Sequence, residues 1–210
     1  MRKDFTHALA VSWTSKLNQY TQKEGVELQK MTLGMEIFLH NIPRLVLLAV
    51  VAVLLGVLPQ FAAILLPFSW IRKYACGLHA RNGLNCTVVS LLLFVAVPFV
   101  LHALDIQMNA GTLVLVFVLI SICLFKYAPA DTAARPILGE KKRARLKRNS
   151  VIASIVLLIL ALLLLNETFY GHVALGVIYA TVSVLPITYK ILGRSMKNYE
   201  QHEREPIPRE

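Results

Sequence analysis

The sequence predicts an all-α, polytopic integral membrane protein, and two observations carry that prediction. Hydrophobic residues make up 56% of a 210-residue chain and the mean hydropathy is +0.59, more apolar surface than a water-soluble domain of this size can hide in its core. The basic residues, which give a formal charge of +10, gather in short segments that flank the apolar runs. That is the pattern of membrane topology rather than of a nucleic-acid surface. In lipid the backbone must satisfy its own hydrogen bonds, so helices are expected and open sheets are not. The three cysteines, Cys76, Cys86 and Cys123, make no disulfide framework and read as thiols.

Residues 1–41 form the first region. Phe5, Leu9, Trp13, Leu17 and Tyr20 recur at helical spacing among Lys16, Gln19 and Lys23, which predicts an amphipathic helix at the membrane interface or packed on the rest of the chain. Its mixed charges leave no apolar core for a secretory signal, so the first membrane segment is expected to be retained. Residues 45–70 are almost wholly apolar, and Pro59-Gln60 predicts two short pieces, a proline-broken hairpin or re-entrant pair. Four full spans follow at 86–104, with Pro98 as a kink, 111–127, 151–165 and 173–192, which makes about six membrane segments. The loop 126–149 holds Lys126, Arg135, Lys141, Lys142, Arg143, Arg145, Lys147 and Arg148. The positive-inside rule puts that loop, the polar loop 72–86 and both termini on the cytoplasmic side of a plasma membrane. The expected organisation is thus an N-terminal region 1–41, a membrane domain 42–193 and a polar tail 194–210.

The most informative stretch is Tyr74-Ala75-Cys76-Gly77-Leu78-His79-Ala80-Arg81-Asn82-Gly83-Leu84-Asn85-Cys86. A histidine seven residues before a cysteine at the mouth of a span supplies the imidazole and the thiol that a cysteine peptidase needs. On one straight helix that spacing separates the Cα atoms by about 10 Å, too far for proton transfer, so the helix must break between them. Asn82-Gly83 is the turn signal for the break. Asn85 is then expected to cap a helix beginning at Cys86, where first-turn amides favour a thiolate and can hold an oxyanion. Two other readings remain open on these residues. Cys76, His79 and Cys86 are three candidate zinc ligands, without a common zinc spacing. In a transporter or export partner, the histidine and cysteine are ordinary residues of a membrane boundary.

Through Gly77, His79, Ala80 and Cys86 the chain resembles the accessory gene regulator B (AgrB) family of quorum-sensing peptidases. The resemblance continues in Leu33-Gly34-Met35-Glu36, in Ser90 four residues after the cysteine, and in Tyr127-Ala128-Pro129-Ala130-Asp131-Thr132 with Arg135-Pro136. Leu78 departs from it, at a position where members often carry an aromatic residue. The resemblance implies a membrane-embedded cysteine endopeptidase acting on a small membrane-bound precursor peptide of AgrD type. It cuts near the precursor's C-terminus, keeps the N-terminal part as a thioester on Cys86, and passes it to a cysteine or serine of the peptide. A cyclic thiolactone or lactone leaves. His79 is then general base and acid, and Asp131 or Glu36 is a candidate to orient it, with Ser90 as further support. Arg72, Lys73, Lys141, Lys142 and Arg143 are candidate contacts for the precursor's acidic tail, although topology alone accounts for those charges. The family also implies a homodimer. No cofactor, metal ion or nucleic acid is expected.

Overall fold

The computed structural model describes residues 2–78, 83–133, 136–196 and 198–204, with the side chains of residues 2–5, 83, 84, 201, 202 and 204 left aside. Among the described residues there is no strand, and one isolated bridge joins Cys76 to Ala130. Four helices are long and apolar enough to cross a membrane, so the protein is all-α and polytopic. The chain divides into two compact units, Met1–Leu54 and Leu55–Glu210.

In the first unit α1 (Arg2–Thr21) packs along α2 (Gly25–Leu54). Asn18 shapes the turn between them, its Oδ1 accepting from the Lys23 amide at 2.8 Å and the Thr21 hydroxyl at 3.1 Å. Gln22 and Gly25 complete the turn with left-handed backbone. The small residues Ala10 and Thr14 are buried, whereas Trp13, Leu17 and Tyr20 of the apolar stripe are exposed. Helix α2 runs through residue 41 and through Pro43 without interruption.

The apolar run does not break at Pro59. Helix α2 ends at Leu54, Gly56 takes a φ of 72°, and α3 (Leu58–Ala75) carries Pro59 in its first turn. A proline there gives up an amide that has no acceptor within the helix, so it starts a helix instead of splitting one.

In the second unit α4 (Gly83–Leu91), a π-helical segment (Leu92–Ala96) and α5 (Val97–Ala103) follow one another without a break. Pro98 accounts for the π segment: it removes an amide and crowds the preceding turn, and the wider π geometry absorbs the misfit. Helix α6 (Ala110–Tyr127) is capped by Asn109, whose Oδ1 accepts from the Thr112 amide at 2.8 Å. Helix α7 (Glu140–Leu164) begins well before the span expected at 151, so much of the basic segment is helix and the connection ends at Gly139. The span expected at 173–192 is two helices, α8 (Glu167–Val182) and α9 (Pro186–Ile191). The reason is Pro186, which pushes the residue before it out of helical geometry, and Leu185 lies at φ −70°, ψ 141°. A short α10 (Tyr199–Arg204) lies in the tail.

Helix α3 packs most extensively on α8. Their crossing is close because of Gly176: a Cβ there would sit 2.3 Å from the Ile64 carbonyl oxygen, the role small residues play between membrane helices. The Ser121 and Ser154 hydroxyls meet at 3.1 Å between α6 and α7. Ile71, Phe117, Leu124, Leu157 and Val177 fill the core, while Leu115, Leu119, Ile122, Ile155 and Ile159 are exposed, as on helices that face lipid. Helices α3, α6 and α8 end, and α7 begins, at one pole of this unit. Backbone bonds tie residues 75–78 to Ala130 and Ser183, and Lys147 lies over the Phe125 ring at 5.5 Å.

Candidate functional site

The pole where those helices end holds the segment leading to His79. Helix α3 stops at Ala75, and the chain leaves it through two left-handed residues, Cys76 at φ 60° and Gly77 at φ 95°. Only glycine fits at 77. A Cβ would lie 2.6 Å from Ser183 Oγ and 2.8 Å from Ser183 O, and the positive φ strains any other residue.

Three partners fix the segment. Ala130 donates its amide to Ala75 O at 3.0 Å and accepts from the Gly77 amide at 2.9 Å, and the Leu78 amide donates to Ser183 O at 3.1 Å. Arg72, one turn before the end of α3, turns its guanidinium onto the same strip. Its Nη1 donates to Ser183 Oγ at 2.8 Å, and its Nη2 donates to the carbonyl oxygens of Gly77, at 3.4 Å, and Leu78. The guanidinium also lies over the Phe68 ring, 5.5 Å from its centroid. Arg72, a candidate contact for a substrate's acidic tail, here holds the two residues that lead into His79.

His79 itself, with Asn82 of the turn signal, lies outside the described residues, so its distance to Cys86 is not part of this geometry. The chain is described again from Gly83, within α4. Asn85 is inside the helix and not its cap, and Cys86 follows it there. Side chains in a helix tilt toward its N-terminus, so the thiol leans toward the Gly83 end of α4. The Cys86 side chain is half-buried and outside any disulfide. Burial pulls the Arg72 guanidinium below its ordinary range, and Tyr189, Cys76 and Cys86 nearby act against that shift. Ser90 follows one helical turn later on the same face.

The other candidates sit in structural roles. Asp131 is buried, and its carboxylate accepts from the Asn198 amide at 3.0 Å and the Tyr199 amide at 2.8 Å, at the start of α10. Its backbone carbonyl accepts from the Tyr189 hydroxyl at 2.8 Å. Glu36 belongs to the first unit, where it hydrogen-bonds the His7 ring. Arg143 donates to Glu203 at 2.6 Å and to Ile137 O at 3.1 Å. Lys73, Lys141 and Lys142 are exposed. An apolar groove of about 460 Å³ runs between α3, α7 and α8, lined among others by Ala63, Leu66, Trp70, Leu160 and Phe169. It offers no group for catalysis, and the reactive candidates lie beyond its Trp70 end.

Ser183 and Tyr189 had no signal in the sequence, because each acts through a backbone carbonyl or a hydroxyl reached only in the folded chain. Gly77 was legible through its motif, and the structure supplies its reason.

Comparison with known proteins gives the chain its relatives. The family described as accessory gene regulator B matches residues 10–184. An AgrB-like protein of Clostridium acetobutylicum is 38% identical over 90% of each chain. An AgrB-like protein of Listeria monocytogenes is 37% identical over 83% of this chain and 84% of its own. The accessory gene regulator protein B of Staphylococcus lugdunensis is 28% identical over 82% of this chain and 90% of its own. No solved structure matches. With its family pattern covering most of its length, this membrane protein belongs to the accessory gene regulator B family.

Proposed function

We propose that the protein is a membrane-embedded cysteine endopeptidase that cleaves a small membrane-bound precursor peptide and cyclises the part it keeps. The observation that carries this reading is the setting of Cys86. It lies toward the Gly83 end of α4, seven residues after a histidine whose approach is locked by Arg72, Ala130 and Ser183. In this scheme the N-terminal end of the helix favours a thiolate and offers amides to a developing oxyanion.

In this scheme His79 takes the thiol proton as Cys86 Sγ attacks the scissile carbonyl. The Cys86 S–C bond forms, the peptide C–N bond breaks, and the proton passes from His79 to the leaving amine. A cysteine of the retained peptide then attacks the thioester. The new S–C bond closes a thiolactone and returns the thiol to Cys86, an exchange of one thioester for another that is nearly balanced in energy. A serine nucleophile on the peptide gives a lactone instead.

The pole bearing Arg72, Lys73, Lys126 and the basic first turns of α7 is assigned to the cytoplasm of the plasma membrane on the positive-inside rule. Exposed Lys73, Lys141 and Lys142 are the cations open to an acidic precursor tail, and a homodimer is the assembly. Asp131 and Ser90 act as supports, Asp131 through the backbone it braces. Cys86→Ser and His79→Ala are each expected to abolish cleavage of a co-expressed precursor while the protein still inserts in the membrane. Cleavage near the wild-type rate in either variant rules this reading out.

A further inference from the structure

We propose that Ser183, at the C-terminal end of α8, is a positioning residue for His79. The inference rests on the peptidase reading above and adds to it a residue that no motif marks. Three observations converge on this serine. Its Oγ accepts from Arg72 Nη1 at 2.8 Å and donates to Ala180 O at 2.7 Å. Its carbonyl accepts the Leu78 amide at 3.1 Å. Its Oγ and carbonyl are also the two atoms nearest to a Cβ built at Gly77, at 2.6 and 2.8 Å.

Ser183 is thus the wall against which the left-handed Gly77 turn is pressed and one anchor of the guanidinium that pins the turn from the other side. The hydroxyl is itself fixed, bonded to Arg72 in one direction and to its own helix in the other. Leu78 precedes His79 directly, so the bonds that fix both the amide and the carbonyl of Leu78 set where the chain enters the imidazole-bearing residue. One of them comes from Ser183 itself, and the other comes from Arg72, which Ser183 holds. The serine touches no substrate in this scheme and acts through Arg72 and Leu78.

Removing the hydroxyl leaves the backbone bond to Leu78 intact but takes one acceptor from a part-buried guanidinium. A hydrogen bond to a charged group lost in this way corresponds to about a ten- to hundredfold effect. The test is the rate of Cys86 alkylation by iodoacetamide across pH in the full-length protein, read by peptide mass spectrometry, together with kcat and KM for precursor cleavage. Cys123, on α6, reports whether the fold is intact. In the wild type, Cys86 alkylation is expected to depend on His79, with His79→Ala slower at neutral pH. Ser183→Ala is expected to shift the Cys86 profile toward that of His79→Ala. Its kcat should fall about ten- to a hundredfold with KM within about twofold, and Cys123 should be unchanged. Ser183→Thr, which keeps the hydroxyl, should restore both readouts.

A Ser183→Ala protein with the wild-type Cys86 profile and kcat overturns the proposal while leaving the peptidase reading standing. Equal Cys86 profiles in wild type and His79→Ala overturn the reading and the proposal together. If Cys123 also changes in Ser183→Ala, Ser183→Thr decides: full function supports the hydroxyl's role, and a loss as deep as that of alanine refutes it.

Discussion

Gly77 is the residue on which the most geometry depends. Its φ of 95° suits glycine, and the space its missing side chain leaves is taken by Ser183. Gly77→Ala therefore meets two penalties, backbone strain of about 1–3 kcal/mol and a contact that neither Ser183 atom can relieve by moving. It should lower precursor cleavage at least tenfold, the effect of about 1.4 kcal/mol on a rate, and lower the melting temperature. Wild-type values of both would show that the turn is not under the constraint described. The sequence made Gly77, His79 and Cys86 visible through their motif but did not mark the strain at residues 76 and 77. The expected turn at Asn82-Gly83 falls partly outside the described residues, while Cys76 and Gly77 are a left-handed pair. A turn signal such as Asn-Gly marks a place where the chain can bend and does not say which neighbouring residues are forced to.

At the scale of elements, the loop after α6 and the C-terminal tail brace one another. Asp131 holds the start of α10 through the amides of Asn198 and Tyr199, and its neighbour Ala130 bonds Gly77, so tail and reactive segment share one support. The far end of α10 is tied by Glu203 to Arg143 and to the Gly139 amide. The Arg143 hydrogen bond, and after it the Gly139 amide, hold the Glu203 carboxyl below the ordinary glutamate range. The sign follows from that direction. The tie is complete above the carboxyl's unfolded pKa and is lost as pH falls through its lower folded value. The tail should therefore resist proteolysis unchanged from neutral pH down to mild acid and open only in stronger acid. Asp131→Ala should expose it at neutral pH. A tail equally accessible in wild type and Asp131→Ala at neutral pH would contradict this brace.

Element by element, the sequence reading succeeded where one signal acted alone, as in the apolar run of α6. It failed where a proline had two meanings. Pro59 opens α3 and Pro186 opens α9, because a proline in a first turn gives up an amide that has no acceptor within the helix. The basic segment was read as loop because charge was weighed and helix propensity was not. Glu140, Lys and Arg residues are good helix formers, and they carry α7 out beyond its apolar part.

At the scale of the whole molecule, the charge asymmetry seen in the sequence becomes a pole of the second unit, where α3, α6 and α8 end beside the basic turns of α7 and the reactive segment. If that pole is cytoplasmic, a membrane-impermeant maleimide should label Cys86 in inside-out vesicles and spare it in right-side-out ones. The reverse pattern would invert the topology. Membership of the accessory gene regulator B family fixes the class of protein, and the reaction rests on whether the Cys86 sulfur carries the peptide between its two bonds. Intact-mass analysis of purified protein, quenched in acid soon after mixing with a precursor peptide, reads that directly. The wild type should gain the mass of the retained N-terminal fragment, mapped to Cys86 and removed by hydroxylamine, and Cys86→Ala should gain nothing. Precursor cleavage by Cys86→Ala, or a wild-type adduct on another residue, would contradict the account.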